Sequence, residues 1–243
     1  MILEICAGSV DSAIAAQKGN ANRIELCTNL NEGGTTPSYG NLLLARQQIS
    51  IDLYALIRPR SGDFLYSTFE FEIMKADTLL CKELGYNGIA VGLLNSDGSI
   101  DMERTKILVE LAAPMGVTFH RAFDSCNNFE KALEDVISCG CERILTSGLK
   151  NTAIEGSDVL KKLLNLAKDR IIIMPGSGIK SNNIKFLKKL VPAKEWHASA
   201  KTTLISKMNY HNIELKNMGN SLTKSDENEI GKLVNKLNDQ DFL

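Results

Sequence analysis

Short apolar segments rich in Ile, Val and Leu alternate along the chain with longer segments in which apolar residues recur every three or four positions. The short segments predict buried β-strands, and the longer ones predict amphipathic α-helices. This alternation repeats eight times along the 243 residues. The predicted strands lie near residues 2–6, 23–27, 52–57, 88–92, 116–121, 143–147, 171–174 and 195–199.

Each predicted strand precedes a predicted helix, and several helices begin at Ser, Thr or Asp, which are residue types that cap helix N-termini. Eight strand–helix units in a chain of 243 residues predict the α/β class and a parallel (β/α)8 TIM barrel, as a single domain over residues 1–243. A doubly wound open sheet is the alternative, disfavoured because no glycine-rich dinucleotide-binding turn follows the first strand. The predicted helices cover residues 9–18, 38–48, 68–84, 101–112, 129–139, 157–167, 181–190 and 225–237.

The first two strands each carry a Glu-x-Cys phrase, Glu4 to Cys6 and Glu25 to Cys27. In a parallel strand covered by helices, one set of alternate side chains faces the helices and the other faces the barrel interior. The apolar residues between the polar ones take the helix side, so both Glu-x-Cys phrases point inward. The same alternation directs further side chains inward from later strands: Tyr54, Leu56, Arg58, Thr118, His120, His197 and Ser199.

This alternation predicts a charged barrel interior, although branched aliphatic side chains fill most barrels. A buried carboxylate is costly unless it is paired or hydrogen-bonded, so we expect Glu4, Glu25, Arg58, His120 and His197 to form one network. Functional sites of this fold lie at the C-terminal ends of the strands, which makes the five residues candidate catalytic groups. The alternative is an ion network that fills the barrel without any ligand.

Cys6 and Cys27 occupy equivalent offsets in adjacent strands, which run ~4.8 Å apart, so their sulfurs are candidates to share one ion. Soft thiolates select Cu(I) or Zn over hard cations. The alternative is that both are small core residues. Cys139 and Cys141 lie between a predicted helix and the following strand, at the opposite end of the barrel, and we interpret them as structural.

A glycine-containing turn follows the seventh predicted strand, and Ser and Lys residues follow the eighth, where many barrels bind a phosphate through backbone N–H groups. Arg58 and Arg60 are candidates to add positive charge. With Glu and His as general acid and base, such a site would describe an enzyme acting on a small phosphorylated or carboxylated metabolite. The alternative is a tight turn with no ligand. The candidate anion-binding residues are Gly176, Ser177, Gly178, Ser199 and Lys201.

Charge and composition exclude several classes of protein. The 28 basic and 29 acidic residues give a formal net charge of −1, and aromatic residues make up only 6%, which argues against a nucleic-acid surface. No apolar run approaches the ~20 residues of a membrane helix, and the N-terminus begins with a strand pattern instead of a signal peptide. We therefore expect a soluble intracellular protein whose six cysteines are thiols.

Distinctive segments follow one another in a fixed order between residues 1 and about 201: 3–6, 23–27 with 32–38, 57–64, 117–124, 143–148, the Met-Pro-Gly turn at 174–176, and 196–200. Together they strongly resemble the CutC copper homeostasis family. Two positions depart from the family pattern, since Ser61 and Ser177 stand where glycine is common. The serine at 177 weakens the phosphate-site prediction but leaves the thiols untouched.

The resemblance implies a (β/α)8 barrel that is usually a homo-oligomer, cytoplasmic and, in animal members, also nuclear. It implies copper tolerance and Cu(I) binding, and the cysteines to which animal relatives owe copper binding match Cys6 and Cys27 here. It implies no established enzymatic activity. Two hypotheses follow: an intracellular copper homeostasis protein that binds Cu(I) through this cysteine pair, and a TIM-barrel enzyme acting on a small anionic metabolite through the interior Glu, Arg and His residues.

The segment 202–223 is longer than a typical connection between a strand and a helix. We expect an ordinary packed connection, with a lid over the upper face or a subunit contact as alternatives. Its apolar residues are Leu204, Ile205, Met208, Tyr210, Ile213 and Leu215.

Overall fold

The computed structural model describes residues 1–210, 212, 214 and 221–239, and it confirms the predicted barrel. Eight parallel strands form one sheet in the order β7-β6-β5-β4-β3-β2-β1-β8. The two end strands of this order also lie against each other, so the barrel is nearly closed. The strands are β1 Ile2–Ala7, β2 Arg23–Leu26, β3 Asp52–Leu56, β4 Gly88–Val91, β5 Gly116–Phe119, β6 Arg143–Thr146, β7 Ile172–Pro175 and β8 Glu195–Ala198.

A helix follows each strand, and the capping residues expected from the sequence begin several of them. The side-chain oxygens of Ser9, Ser38 and Asp101 each accept a hydrogen bond from a backbone N–H in the first turn of the following helix. The helices are α1 Val10–Lys18, α2 Tyr39–Gln48, α3 Thr68–Glu83, α4 Met102–Ala112, α5 Phe129–Ser138, α6 Ser157–Ala167, α7 Ile184–Leu190 and α8 Glu227–Asn238.

The last two predicted helix starts are wrong. Helix α7 begins at Ile184 instead of residue 181, because the carboxylate of Glu229 holds the backbone N–H and the hydroxyl of Ser181 at 2.7 and 2.8 Å. Helix α8 begins after Asp226, whose carboxylate caps it, while Ser225 ends a strand. A contact distant in sequence therefore delays α7, whereas α8 keeps a local cap one residue later than predicted.

The segment after β8 forms a two-stranded antiparallel hairpin instead of a packed connection. Strand β9, Lys201–Ile205, pairs with β10, Ser221–Ser225. The side chains of Ile205 and Leu222 are 84% and 62% exposed. Leu204, Met208 and Tyr210 are also exposed, so the packed interpretation is wrong for these residues. Ile213 and Leu215 lie outside the described residues.

Two apolar clusters show how the strands divide their side chains. The large cluster joins strand residues such as Ile5, Ile24 and Leu53 to the inner faces of the helices. A small separate cluster inside the barrel contains Cys6, Cys27, Leu56 and Ala90. Since a fully buried Leu or Ile side chain contributes about 1.5–3 kcal/mol, the large cluster supplies most of the apolar stabilisation. The barrel interior is thereby left free to hold polar groups.

Among the described helices, none combines the length and the apolar character needed to cross a bilayer.

Candidate functional site

The N-terminal end of the barrel interior, which we call the lower end, is filled by buried ion pairs. Arg23 pairs through Nε with Glu4 and through Nη2 with Glu195 at 2.6 Å. Nε of Arg143 contacts the same Glu195 oxygen at 2.7 Å. Arg23, Arg143 and Glu195 are the first residues of β2, β6 and β8, which places this ion network of Glu4, Arg23, Arg143 and Glu195 below the strand tips.

Polar neighbours complete the ion network. Arg143 donates from Nη1 to Glu142 at 2.7 Å and to Thr118 at 3.0 Å, and the Tyr54 hydroxyl donates to Glu142 at 2.6 Å. Sequence reasoning placed Tyr54 and Thr118 inside but missed the part played by Arg143 and Glu195. The signal was available for Glu195, because it stands two residues before His197 and so shares its side of the strand.

His197 links the ion network to the upper half of the barrel. Its Nδ1 lies 2.7 Å from Oε1 of Glu4. Burial alone would raise the pKa of Glu4, but the charge of Arg23 and the hydrogen bond with His197 lower it to about 2. Burial would lower the pKa of His197, but the hydrogen bond with Glu4 and the charges of Glu25 and Glu4 raise it. Glu4 therefore fixes the ring, and Nε2 remains as its second nitrogen.

Cys6 lies between a second thiol and a carboxylate. Its Sγ is 3.5 Å from Sγ of Cys27 and 3.4 Å from Oε1 of Glu25. The two cysteines are not at paired offsets, because Cys6 is the register partner of Glu25, and Cys27 follows the end of β2. The hydrogen bond with Cys27, followed by burial and the nearby Glu25 carboxylate, raises the pKa of Cys6. A separation of 3.5 Å is that of two thiols, well beyond the ~2.05 Å of a disulfide.

Three different ligand types converge at Cys6. One ligand atom each from Cys6, Glu25 and His197 lies within 4.8 Å of the others, and all three residues are buried. Burial raises the pKa of Glu25, and the charge of His197 opposes this effect. A thiol, a carboxyl and an imidazole within this distance, with a second thiol adjacent, form a chemically suitable metal site.

A cavity of ≈ 930 Å³ opens at the C-terminal ends of the strands, directly above these groups. Predicted site residues from several strands share this upper cavity. Glu4, Cys27 and Gly176 are not among its lining residues. The predicted residues that line it are Cys6, Glu25, Arg58, His120, Ser177, Gly178, His197, Ser199 and Lys201.

The prediction that all five interior acidic and basic residues form one network is wrong. Arg58 and His120 form their hydrogen bonds with backbone groups instead of with Glu4, Glu25 or His197. Arg58 donates to backbone carbonyl oxygens of three loop residues, at 3.0 Å to Glu32, 2.7 Å to Gly34 and 2.8 Å to Gly62. His120 accepts at Nδ1 from the backbone N–H of Ala122 at 3.1 Å. Backbone carbonyls of the loops after β2 and β3 therefore accept the hydrogen bonds of this guanidinium, in place of a carboxylate.

Two glycine positions create the space for these side chains. A Cβ added at Gly92 would lie 2.3 Å from Cε1 of His120, so the imidazole occupies the volume that a side chain would need. Gly34 has φ +87°, and a Cβ there would lie 2.7 Å from Leu56 and 3.4 Å from Cys27. Sequence reasoning noted the Gly33-Gly34 segment only as a motif and missed Gly92, for which the chain offers no local signal.

The predicted anion site is only partly assembled. Gly176 donates its N–H to the carbonyl of Thr146 at 3.0 Å, so it belongs to strand pairing and not to a ligand site. Ser177 adopts φ +73°, the region that favours glycine, and its hydroxyl donates to the carbonyl of Asn151 at 2.7 Å. Gly178, Ser199 and Lys201 remain on the cavity wall.

Arg60 does not supply charge to the cavity, contrary to expectation. It pairs with Glu70 at 2.5 Å and with Asp63 at 2.9 Å, and it is absent from the lining of the upper cavity. Both acids lie close to it in sequence, at the start of α3 and in the loop before it, so the guanidinium is neutralised locally.

Cys139 and Cys141 also lie away from the cavity. Cys139 directly follows α5 and its thiol contacts the carbonyl of Met102 at 3.7 Å, while Cys141 lies two residues before β6 begins. Both are buried free thiols at the lower end of the barrel.

Comparisons with known proteins give the family. A sequence profile described as the CutC family matches residues 1–202. The chain belongs to the CutC family. A family protein CutC of Chromobacterium violaceum is 53% identical over 209 residues, which cover 86% of this chain and 85% of that relative. The human copper homeostasis protein cutC homolog is 45% identical over 93% of this chain and 82% of its own length.

A solved CutC structure has the same architecture. The crystal structure of a putative copper homeostasis protein CutC from Streptococcus agalactiae is similar with a TM-score of 0.78 and 33% identity. The match covers 82% of this chain and 98% of that one. The CutC family profile ends at residue 202, so it includes all eight barrel strands and Cys6, Glu25 and His197, whereas most of the hairpin and α8 lie beyond it.

Proposed function

We propose that this member of the CutC family acts in copper homeostasis and binds Cu(I) through the thiolates of Cys6 and Cys27. The observation that carries the proposal is the 3.5 Å separation of the two buried sulfurs. The names of the human and Streptococcus agalactiae relatives, which refer to copper homeostasis, support the choice of metal.

The geometry suits one ion held by both sulfurs. Metal–thiolate bonds to ions of this size are ~2.3 Å long, so two sulfurs on one ion lie at most ~4.6 Å apart. The observed 3.5 Å corresponds to a bent arrangement with no movement of the strands. Binding displaces the thiol protons, because the thiolate is the ligand. Thiolates are soft ligands, which favours Cu(I) over hard cations.

His197 is the third donor in this proposal. Its Nδ1 is held by Glu4, and a ligand atom of His197 lies within 4.8 Å of those of Cys6 and Glu25. Imidazole suits copper, whereas carboxylate oxygen suits harder ions. We therefore assign Glu25 a supporting role beside Cys6 and not a bond to copper.

Anaerobic titration with Cu(I) against a competing chelator of known affinity tests this proposal. We expect near-stoichiometric binding by the wild type and its loss in Cys6→Ser and in Cys27→Ser, with the far-ultraviolet circular dichroism spectrum unchanged. Cys139→Ser is the matched control, because its hydroxyl can still contact the Met102 carbonyl and the position lies away from the cavity. Wild-type affinity in both serine variants of the thiol pair would overturn the proposal.

Titrating the same variants with zinc as well as with Cu(I) distinguishes two donor sets that share Cys6, namely the pair with Cys27 and the set with Glu25 and His197. Zn accepts Cys, His and Glu ligands together, so a site built from Cys6, Glu25 and His197 would prefer it. In our proposal Glu25→Gln retains Cu(I) binding while Cys27→Ser loses it. The reverse result, with loss in Glu25→Gln only, would assign the site to the mixed donor set.

Three further expectations belong to the same proposal. A reducing compartment such as the cytoplasm, and in animal relatives the nucleus, would keep Cys6 and Cys27 as thiols. A homo-oligomer and a single domain over residues 1–243 stay predictions.

Light scattering on the protein as it elutes from a size-exclusion column measures the oligomeric state. A single cooperative unfolding transition that coincides for different spectroscopic probes would support the single domain.

A further inference from the structure

Beyond copper, the upper cavity presents a polar atom that the ion network does not use. Nε2 of His120 is buried and has no hydrogen-bond partner among the described residues. His120 is only 5% exposed and lines the cavity. A buried donor or acceptor without a partner is uncommon in folded proteins, which makes this atom informative about a ligand.

The contacts of the ring define the proton on Nε2. Nδ1 accepts a hydrogen bond from the backbone N–H of Ala122, so in a neutral imidazole the proton resides on Nε2. Burial, followed by the charge of Arg58, lowers the pKa of His120 to about 3, which keeps the ring neutral. Gly92 packs against Cε1 and Nδ1, so this edge of the ring is enclosed by the wall. His120 therefore carries one hydrogen-bond donor, Nε2–H, that no described residue satisfies, and the residue lines the cavity.

Arg58 adds a positive charge beside this donor. Its guanidinium lies over the Phe64 ring, 5.1 Å from the ring centroid. The centroid of the His120 ring lies 5.3 Å from that of the same Phe64 ring. All three residues line the cavity. Within the described part of the chain, the Arg58 guanidinium donates to three backbone carbonyls and forms no ion pair with a carboxylate. A buried cation normally has a counter-charge, and no described residue supplies one here.

We propose that the upper cavity binds a small organic anion, with a carboxylate or phosphate oxygen accepting the Nε2–H of His120 and its negative charge facing Arg58. Gly178, Ser199 and Lys201 line the same cavity and would contact the rest of the ligand. The subsite does not depend on the thiol pair, because neither Cys6 nor Cys27 supplies a contact to the anion. Anion binding at this subsite is therefore independent of copper binding.

Nuclear magnetic resonance of copper-free protein with 15N-labelled histidine tests the proposal. The chain has three histidines, so the His120 signals can be assigned by substitution. The probes are inorganic phosphate, glycerol 3-phosphate and malonate at constant ionic strength, with neutral glycerol and chloride as controls. We expect a saturable shift of the His120 Nε2 signal with an anionic probe and none with glycerol or chloride. The probe with the highest affinity distinguishes a free inorganic anion from an organic phosphate or a carboxylate.

Two variants locate the binding. His120→Asn keeps an acceptor for the Ala122 N–H and removes Nε2, so we expect affinity to fall about tenfold or more, as for loss of a hydrogen bond to a charged group. Arg60→Gln is the matched control, since its guanidinium pairs outside the cavity. Wild-type affinity in His120→Asn, or a His120 signal in the wild type that no anionic probe moves, would overturn the proposal.

Discussion

Glu4 holds His197 through one carboxylate oxygen and Arg23 through the other. The His197 contact joins Nδ1 to Oε1 of Glu4 at 2.7 Å, and the Arg23 contact uses Oε2. The buried ion network at the lower end of the barrel thereby orients an imidazole at the candidate metal site above it. Carboxylates that hold a ligating imidazole in this way commonly tune metal affinity.

Glu4→Gln should lower the affinity for Cu(I) about ten- to hundredfold, because the amide holds the His197 ring less firmly than the carboxylate does. Chelator competition under anaerobic conditions measures the change. Glu195→Gln is the control, since Glu195 contacts Arg23 and Arg143 but not His197. Equal losses in the two variants would show that damage to the ion network, and not the orientation of His197, causes the effect.

Arg23→Ala should reduce the free energy of unfolding by about 3–5 kcal/mol, because it leaves the buried carboxylates of Glu4 and Glu195 without their shared partner. Urea denaturation at neutral pH measures this loss. Arg170→Ala is the matched control, because the Arg170 pair with Glu134 is about half exposed and should contribute little. Similar midpoints for Arg23→Ala and the wild type would contradict the assigned role.

Gly92→Ala should destabilise the protein by about 1–3 kcal/mol, since its Cβ would lie 2.3 Å from the His120 ring and force that ring to move. Gly231→Ala should instead stabilise it by about 0.5–1 kcal/mol, because Gly231 lies inside α8 with no atom within 4 Å of an added Cβ. Thermal and urea unfolding of the two variants measure both changes in stability. An unchanged 15N resonance of His120 in Gly92→Ala would contradict the proposed packing.

His120 should make the stability depend on pH. Its pKa in the folded protein is about 3 against an ordinary 6.5, so between these values the unfolded chain binds a proton that the folded protein does not. Its contribution is complete above pH 6.5 and is lost as the pH falls, by up to about 1.4 kcal/mol per pH unit. The stability difference between wild type and His120→Asn should fall by about 1.6 kcal/mol from pH 6.5 to 5.

The difference between the two proteins is the quantity to measure, because other groups titrate with the opposite sign. The raised pKa of His197 gives a contribution that is present below its unfolded pKa and lost as the pH rises through the folded one. This term is common to wild type and His120→Asn and cancels. Parallel stability curves for the two proteins would contradict a buried neutral His120.

Much of the fold was predictable from the chain because its determinants are local. Strand and helix periodicities gave the barrel, and Ser9, Ser38 and Asp101 cap helices as their types indicate. The inward direction of Glu4 and Cys6 followed from strand alternation. Predictions failed where a distant contact intervened, as when Glu229 engages Ser181 and delays α7.

The sequence predicted which residues lie at the candidate site, but not which hydrogen bonds and ion pairs they form. Alternation placed Cys6, Glu25, His120 and His197 inside the barrel, and all four line one cavity. It could not tell that Arg58 bonds to loop carbonyls, because the path of the loops after β2 and β3 decides which acceptors reach the guanidinium. Nor could it find the need for glycine at position 92, which arises only when β4 and β5 are adjacent.

The sequence by itself determined the eight-unit barrel and the side of each strand that faces the interior, because periodicity acts over a few neighbouring residues. The tertiary structure alone decided the partners of the interior groups. It paired Cys6 with Glu25 in register and still brought the Cys6 and Cys27 sulfurs to 3.5 Å. Register and loop path bring together residues from separate strands, and no local pattern encodes those distances.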